Sequence, residues 1–213
     1  SYIRSIGKEK CVVGHDNRLS SDSLYSALIQ GIKETGINII SLGLCTTPMY
    51  YYACIKLKVY SGVMVTASHN PKDDNGFKFA FDESGNCKGQ EIQDFLAYIL
   101  KGDFSKGEGS VEEYDIEPDY IELFRNNFTF GKRRVKVVLD PGNGTTSIIM
   151  KKLYEMFPID IITINDVSDG HFPNHHPDPC VEANLEQLKK KVIETNADIG
   201  LSFDGDGDRM GMV

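Results

Sequence analysis

The sequence predicts an α/β fold: two consecutive three-layer α/β/α domains, each with a mostly parallel (mixed) sheet flanked by helices. Three observations carry that prediction. Short β-branched runs alternate with helical stretches along all 213 residues. The order strand, helix, strand, helix, strand occurs once before the polar, glycine-rich stretch Gly102 to Ser110, and again after it. Hydrophobic residues make up 40% of the chain, which supports a proper core and argues against disorder. The expected domains are therefore 1–108 and 109–213. The halves share an architecture but no clear sequence identity, so no repeat is inferred.

The elements follow from local signals. Cys11-Val12-Val13-Gly14 is a short buried strand, with the polar loop His15-Asp16-Asn17-Arg18 at its end. Ser20 or Ser21 caps a helix whose Leu24, Leu28 and Ile32 recur every four residues, and Gly36 closes it. Ile37 to Leu42 is the next strand, and Thr46, Thr47 and Pro48 open a helix running to Leu57. A strand around Val63-Met64-Val65 then runs into Ser68-His69-Asn70-Pro71, where proline forces the preceding residue out of helical angles. Gly76 to Phe81 alternates, so Phe77, Phe79 and Phe81 share one face and Lys78 points to the other. A helix from Gln90 to Lys101 turns Ile92, Phe95, Leu96 and Ile99 inward. After the glycine-rich stretch, Val111 to Ile116 is an extended connector, and Pro118 opens a helix carrying Ile121, Phe124 and Phe128. The pattern restarts with strand Val135 to Leu139 and the loop Asp140-Pro141-Gly142-Asn143-Gly144. Thr145 or Thr146 caps a helix to about Met156, followed by strand Ile159 to Ile164 and a long proline-rich loop, Asn165 to Glu182. Asn184 caps a helix with Leu185, Leu188 and Val192 inward; strand Ile199 to Phe203 leads into Asp204, and Met210 begins another.

A net charge of −8 disfavours nucleic acid and anionic membrane as partners. It leaves room for an anionic small substrate, because a bound metal or a few local cations can invert the charge of one pocket. The five cysteines form neither a CxxC pair nor an even framework and read as reduced thiols of a cytoplasmic protein. No run approaches membrane-spanning length.

The chemistry concentrates in two places. Asp204-Gly205-Asp206-Gly207-Asp208 sets three carboxylates at alternate positions, and the glycines between them allow the backbone angles that turn all three inward. Three hard oxygen donors suit Mg²⁺ or Ca²⁺. An EF-hand is excluded, because a strand and not a helix precedes the loop. Three aspartates leave Mg²⁺ short of six oxygens, and a phosphate oxygen is the natural further ligand, with Arg209 adjacent to neutralise it. Ser68, at a strand end with His69 beside it, is either a turn cap or a nucleophile that carries such a phosphate. Gly142-Asn143-Gly144 reads equally as a tight turn or as a phosphate cradle of backbone amides. His175-His176 invites zinc, but neighbouring side chains of an extended loop diverge and no cysteine pair accompanies them.

Five motifs occur in this order: Thr66-Ala67-Ser68-His69-Asn70-Pro71, Asn75-Gly76-Phe77-Lys78, Asp140 to Gly144, Gly170 to Pro179 and Asp204 to Arg209. Together they resemble the α-D-phosphohexomutase family, in its phosphomannomutase/phosphoglucomutase branch. The resemblance implies reversible phosphoryl transfer between O1 and O6 of a hexose phosphate, through an enzyme phosphoserine and a bisphosphorylated sugar. It implies that Ser68 is the phosphoserine, and that Asp204, Asp206, Asp208 and a phosphoserine oxygen hold Mg²⁺. His69 matches an active-site position, Lys78 a general acid/base that also binds substrate, and Arg209 a position near the transferring phosphoryl group. Arg18 matches a loop arginine of unassigned role, while His15 stands where the family usually has arginine. The family's N-terminal segment, with a Tyr-Asp-Ile-Arg-like motif, and its two later domains have no counterpart here. The expectation is a fragment that holds the phosphoryl-transfer half of a site and lacks full activity. Two other readings stay open: a haloacid-dehalogenase-like phosphatase with Asp204 or Asp206 as nucleophile, and a metal- and phosphosugar-binding module without turnover.

Overall fold

The computed structural model describes residues 1–83 and 85–213. In chain order the first part contains α1 (Tyr2–Ser5), β1 (Lys10–His15), α2 (Ser21–Lys33), β2 (Asn38–Leu44), α3 (Thr47–Leu57) and β3 (Gly62–Val65). It continues with β4 (Phe77–Asp82), β5 (Gly85–Asn86), α4 (Gln90–Lys101), β6 (Val111–Glu113) and α5 (Glu117–Asn127). The second part contains β7 (Val135–Asp140), α6 (Met150–Tyr154), β8 (Ile159–Thr163), α7 (Glu186–Thr195), β9 (Ile199–Phe203) and β10 (Met210–Met212).

Among the described residues the strands form two sheets, ordered β5-β4-β3-β1-β2-β6 and β10-β9-β7-β8. Each is mostly parallel: β1 runs with β2 and β3, and β7 with β8 and β9, while antiparallel strands occupy one edge of each. A central parallel strand is covered on both faces, which is why Cys11, Val12 and Val13 are all fully buried. Alternate residues feed different layers. Cys11 and Val13 pack with Tyr25 of α2, whereas Val12 packs with Met49, Tyr50 and Ala53 of α3. That second layer extends through Ile116 and Tyr120 to Ile149 and Leu153, so one apolar cluster joins the two halves of the chain.

Strand order fixes where a site can lie. From β1 the chain goes to β2 on one side, then crosses back to β3 on the other, which makes a topological switch point between β1 and β3. The second sheet does the same with β7, β8 and β9. Ligand crevices of open α/β sheets form at the carboxyl ends of strands at such points. The Ser68 turn follows β3, and the Asp204 loop follows β9.

Several local expectations needed correction. Val111–Glu113 is not a free connector: it pairs in parallel with β2, past the expected division after residue 108, and covers what would otherwise be a bare sheet edge. In α4 the half-buried hydrophobic residues are Ile92, Phe95 and Tyr98, while Leu96 and Ile99 are 46% and 42% exposed, because only one narrow stripe meets Tyr2 and Phe81. Phe77 is 42% exposed at the start of its strand. The stretch after Gly144 is a 3₁₀ turn (Thr145–Ile148) before the short α6, and the Thr145 amide donates to the Gly205 carbonyl at 2.8 Å. Phe128 lies just past the end of α5 and stacks on Phe124. Asn184 does not cap α7; its amide donates to the Asp178 carbonyl at 2.9 Å within a 3₁₀ turn.

Candidate active site

Ser68 occupies the left-handed region, with φ of 53°, a strained setting for a residue with a Cβ and one that clusters at functional sites. Its amide is held by Thr66 Oγ1 at 2.9 Å, and its hydroxyl, buried with the rest of the residue, donates to Asp204 Oδ2 at 2.8 Å. The two residues are 136 positions apart in sequence. Asp204, Asp206 and Asp208 each offer an oxygen, and the three oxygens lie within 4.8 Å of one another. β9 delivers the loop, and its last residue is followed by an Asp204 that is fully buried.

Two carboxylates in this pocket are pushed in opposite directions. Burial, with the neighbouring Asp206 charge, raises Asp204 to about 7. Burial also works against Asp206, but the Lys78 ammonium and the hydroxyls of Thr47 and Thr66 outweigh it and hold that carboxyl below the usual range. Those donors converge on a single oxygen, Asp206 Oδ2: Thr47 Oγ1 at 2.6 Å, Lys78 Nζ at 2.7 Å and Thr66 Oγ1 at 3.1 Å. The other oxygen, Oδ1, is buried without a partner. A buried carboxylate oxygen left bare among two further carboxylates fits a hard divalent cation.

Lys78 reaches the cluster from β4, where its register partner is Met64, and also donates to Asp208 at 2.6 Å. Burial disfavours its charge, yet Asp206 and Asp208 raise its pKa overall. Held as an ammonium, it can give a proton or clamp a phosphate, and cannot accept the Ser68 proton. Arg209 sends its guanidinium to the His69 ring, with Nη1 3.2 Å from Nε2, and its amide donates to Asp204 Oδ1 at 3.0 Å. His69 Nδ1 lies 3.4 Å from the Ser68 hydroxyl. All seven residues singled out in the sequence thus meet in one cleft.

Sequence reasoning missed Thr47 and Thr66. Thr66, two residues before the serine, was visible as a turn hydroxyl; Thr47 carried no local signal, since its partner is 159 positions away. His15 stays outside the cleft: its ring packs on Tyr25 at 4.6 Å and donates to the Asp16 carbonyl at 2.8 Å. The amides of residues 142 to 144 are all bound by protein acceptors, so that loop is a tight turn and no phosphate cradle. His175 donates from both ring nitrogens, to Asp140 Oδ2 and to the His176 carbonyl, each at 2.9 Å. Burial opposes its charge, but Asp140 and the carbonyl raise its pKa above the ordinary value. That stabilisation is full below the unfolded pKa of about 6.5 and is lost as pH rises through the higher folded value. In melting curves of Mg²⁺-loaded protein, the stability gap between wild type and His175→Gln is therefore expected to shrink as pH rises past that point.

A serine facing a cation-competent aspartate trio, from the switch points of two α/β sheets, defines the α-D-phosphohexomutase class. The family profile described as phosphoglucomutase/phosphomannomutase, alpha/beta/alpha domain I matches residues 1–106, and that for domain II matches residues 118–213. The chain belongs to the phosphoglucomutase/phosphomannomutase family. It is 44% identical over 217 residues to the phosphomannomutase/phosphoglucomutase of Pseudomonas aeruginosa, matching 99% of this chain and 46% of that protein. It is 38% identical over 209 residues to a phosphoglucomutase of Neisseria gonorrhoeae, matching 97% of this chain and 45% of that one. A phosphoglucomutase/phosphomannomutase family protein of Burkholderia thailandensis superposes with a TM-score of 0.93 at 36% identity, over 100% of this chain and 48% of that structure. The chain therefore spans about half the length of these relatives. No helix among the described residues is long and apolar enough to cross a membrane.

Proposed function

We propose that this chain carries the phosphoryl-transfer half of a phosphohexomutase site, acting on mannose or glucose phosphates with Ser68 as the phosphate carrier and Mg²⁺ as the cation. The observation that supports this most directly is the 2.8 Å bond from the Ser68 hydroxyl to Asp204, within a trio whose Asp206 Oδ1 has no other partner. Asp204, Asp206 and Asp208 would hold the ion, which when bound would draw charge from the phosphoryl oxygens.

In the forward step a hydroxyl of a hexose monophosphate attacks the phosphorus on Ser68. A sugar O–P bond forms, the Oγ–P bond breaks, the sugar hydroxyl gives up a proton and Ser68 Oγ regains one. Asp204 lies against that oxygen, and the Lys78 ammonium is the donor in the cluster. The bisphosphorylated sugar then turns over and returns its other phosphate to Ser68: the Oγ–P bond re-forms, the sugar O–P bond breaks, and the proton that leaves Ser68 Oγ is balanced by the one that the sugar oxygen takes up. Lys78 and Arg209 face the phosphoryl group with positive charge, so positioning and electrostatics carry the rate. The chain spans about half the length of its relatives, and the rest of sugar recognition would come from residues outside this span.

The decisive experiment is intact mass after incubation with Mg²⁺ and α-D-glucose 1,6-bisphosphate. One added phosphate that survives hydroxylamine is the expected result. A hydroxylamine-labile phosphate would move the chemistry to an aspartyl phosphate and a phosphatase mechanism; no added phosphate would leave only the binding module.

A further inference from the structure

The most completely enclosed cation in the molecule is not among the residues assigned above. Arg18 is 2% exposed, and both terminal nitrogens of its guanidinium are spent on main-chain carbonyls. Nη2 donates to the carbonyls of Ser68 and Asn70, each at 2.8 Å, and Nη1 to those of Pro71 at 2.6 Å and Asp74 at 3.1 Å. The remaining nitrogen, Nε, lies 3.3 Å from the buried carboxylate of Asp16. A guanidinium has five N–H donors, four of them on the terminal nitrogens. With those directed at four carbonyls, and Nε–H buried unpaired beside the Asp16 carboxylate, Arg18 has no terminal donor left for a substrate phosphate. Its work is done on the turn itself.

We infer that Arg18 is a positioning residue for Ser68, and that it ties the nucleophile's geometry to the docking of the second domain. This rests on the reading of Ser68 as phosphate carrier. Ser68 is gripped on both sides, its amide by Thr66 Oγ1 and its carbonyl by Arg18 Nη2. That double grip holds the left-handed φ of 53° and so aims Oγ at Asp204. The opposite face of the guanidinium is covered by the Phe172 ring, whose centroid is 5.4 Å from Arg18 Cζ. Phe172 comes from the long loop of the second domain, is 7% exposed, and is itself left-handed with φ of 47°. Beside it, Gly170 passes so close to the Arg18 loop that a Cβ would lie 2.4 Å from the Asn17 carbonyl oxygen. On the cation side, a Cβ on Gly205 would lie 2.5 Å from the Ser68 carbonyl oxygen, the same atom that Arg18 binds. The guanidinium is therefore the joint where nucleophile turn and second-domain loop meet. A lysine there offers three donors from a single point and cannot span four carbonyls, and leucine at position 172 withdraws the π face.

The test uses the 213-residue chain with Mg²⁺ and α-D-glucose 1,6-bisphosphate. Arg18→Lys is expected to lower the maximal rate of Ser68 phosphorylation on the order of tenfold to a hundredfold, since a small misplacement of a reacting atom has effects of that size. The bisphosphate concentration at half-maximal rate and the Mg²⁺ affinity should stay near wild type, a split that general unfolding does not produce. Amide hydrogen exchange over residues 68–74 should speed up in the same variant, because the carbonyls lose their clamp. Phe172→Leu should give a smaller loss of the same kind, and it decides the matter if the lysine variant does not fold. A wild-type phosphorylation rate in Arg18→Lys, or in Phe172→Leu when only that variant folds, overturns the inference. If the wild-type chain takes up no phosphate at Ser68, the proposed function fails, and the exchange comparison alone then judges whether Arg18 holds the turn.

Discussion

Ser68→Ala is expected to abolish phosphate uptake from α-D-glucose 1,6-bisphosphate completely while leaving Mg²⁺ binding in place. The hydroxyl lies directly against Asp204 of the aspartate trio, where a phosphate on it would meet the cation. The two hydroxyls on Asp206 are committed: Thr47 and Thr66 donate to it, and Thr66 also accepts from the Ser68 amide. Lys78 is held as an ammonium and offers no lone pair. His69, 3.4 Å from the serine oxygen, is the one neighbouring nucleophile that could substitute, and a phosphate on its ring would be acid-labile where a phosphoserine is not. The substitution has a structural cost of about 1–3 kcal/mol, because Asp204 Oδ2 loses its buried donor. That is too small to unfold a domain of ordinary stability. Mass spectrometry before and after acid treatment reads the result. Retained, acid-stable phosphate in the alanine variant would remove Ser68 from the mechanism.

The second large effect is a pH-dependent response to divalent cation. Without metal, the proton on Asp204 is worth keeping: burial and the Asp206 charge raise its pKa to about 7, against about 3.9 in an unfolded chain. A raised folded pKa gives stability that is full below the unfolded value and is lost as pH rises through the folded one. Metal-free protein should therefore melt at progressively lower temperature from about pH 4 to about pH 7 through this group. A cation reverses the balance, since it needs the carboxylate deprotonated. At about a hundredfold excess over Kd, Mg²⁺ binding adds about 2.7 kcal/mol, or about 5–10 °C in Tm for a chain of this size. That shift is expected in full near pH 8 and mostly absent near about pH 5, where Asp204 stays protonated. Differential scanning fluorimetry with EDTA and with Mg²⁺ at the two pH values measures it. Equal shifts at both would mean that Asp204 is not a ligand.

Much of this could be read from the amino-acid order because the relevant signals are local. Val12 and Val13 announce a doubly buried strand, Thr46-Thr47-Pro48 a helix start, and Asp204 to Asp208 a cation loop, each within a few residues. Where local signals competed with long-range partners they failed. Thr145 suggested an ordinary helix cap, but it opens a 3₁₀ turn and its amide donates to the distant Gly205 carbonyl. Leu96 and Ile99 have helical spacing, yet the layer beneath α4 is only wide enough for the stripe through Phe95.

The class of fold and the ordered motifs were legible in the amino-acid order, since residue type and spacing suffice for those. How the groups are poised became visible in three dimensions. The tertiary structure chose which oxygen of Asp206 is left bare, gave Lys78 its carboxylate partners, and spent Arg18 on carbonyls when the sequence left its role open. The physical reason is distance along the chain: hydrogen bonds and burial act between atoms a few ångströms apart, and here those atoms belong to residues as far as 159 positions from each other.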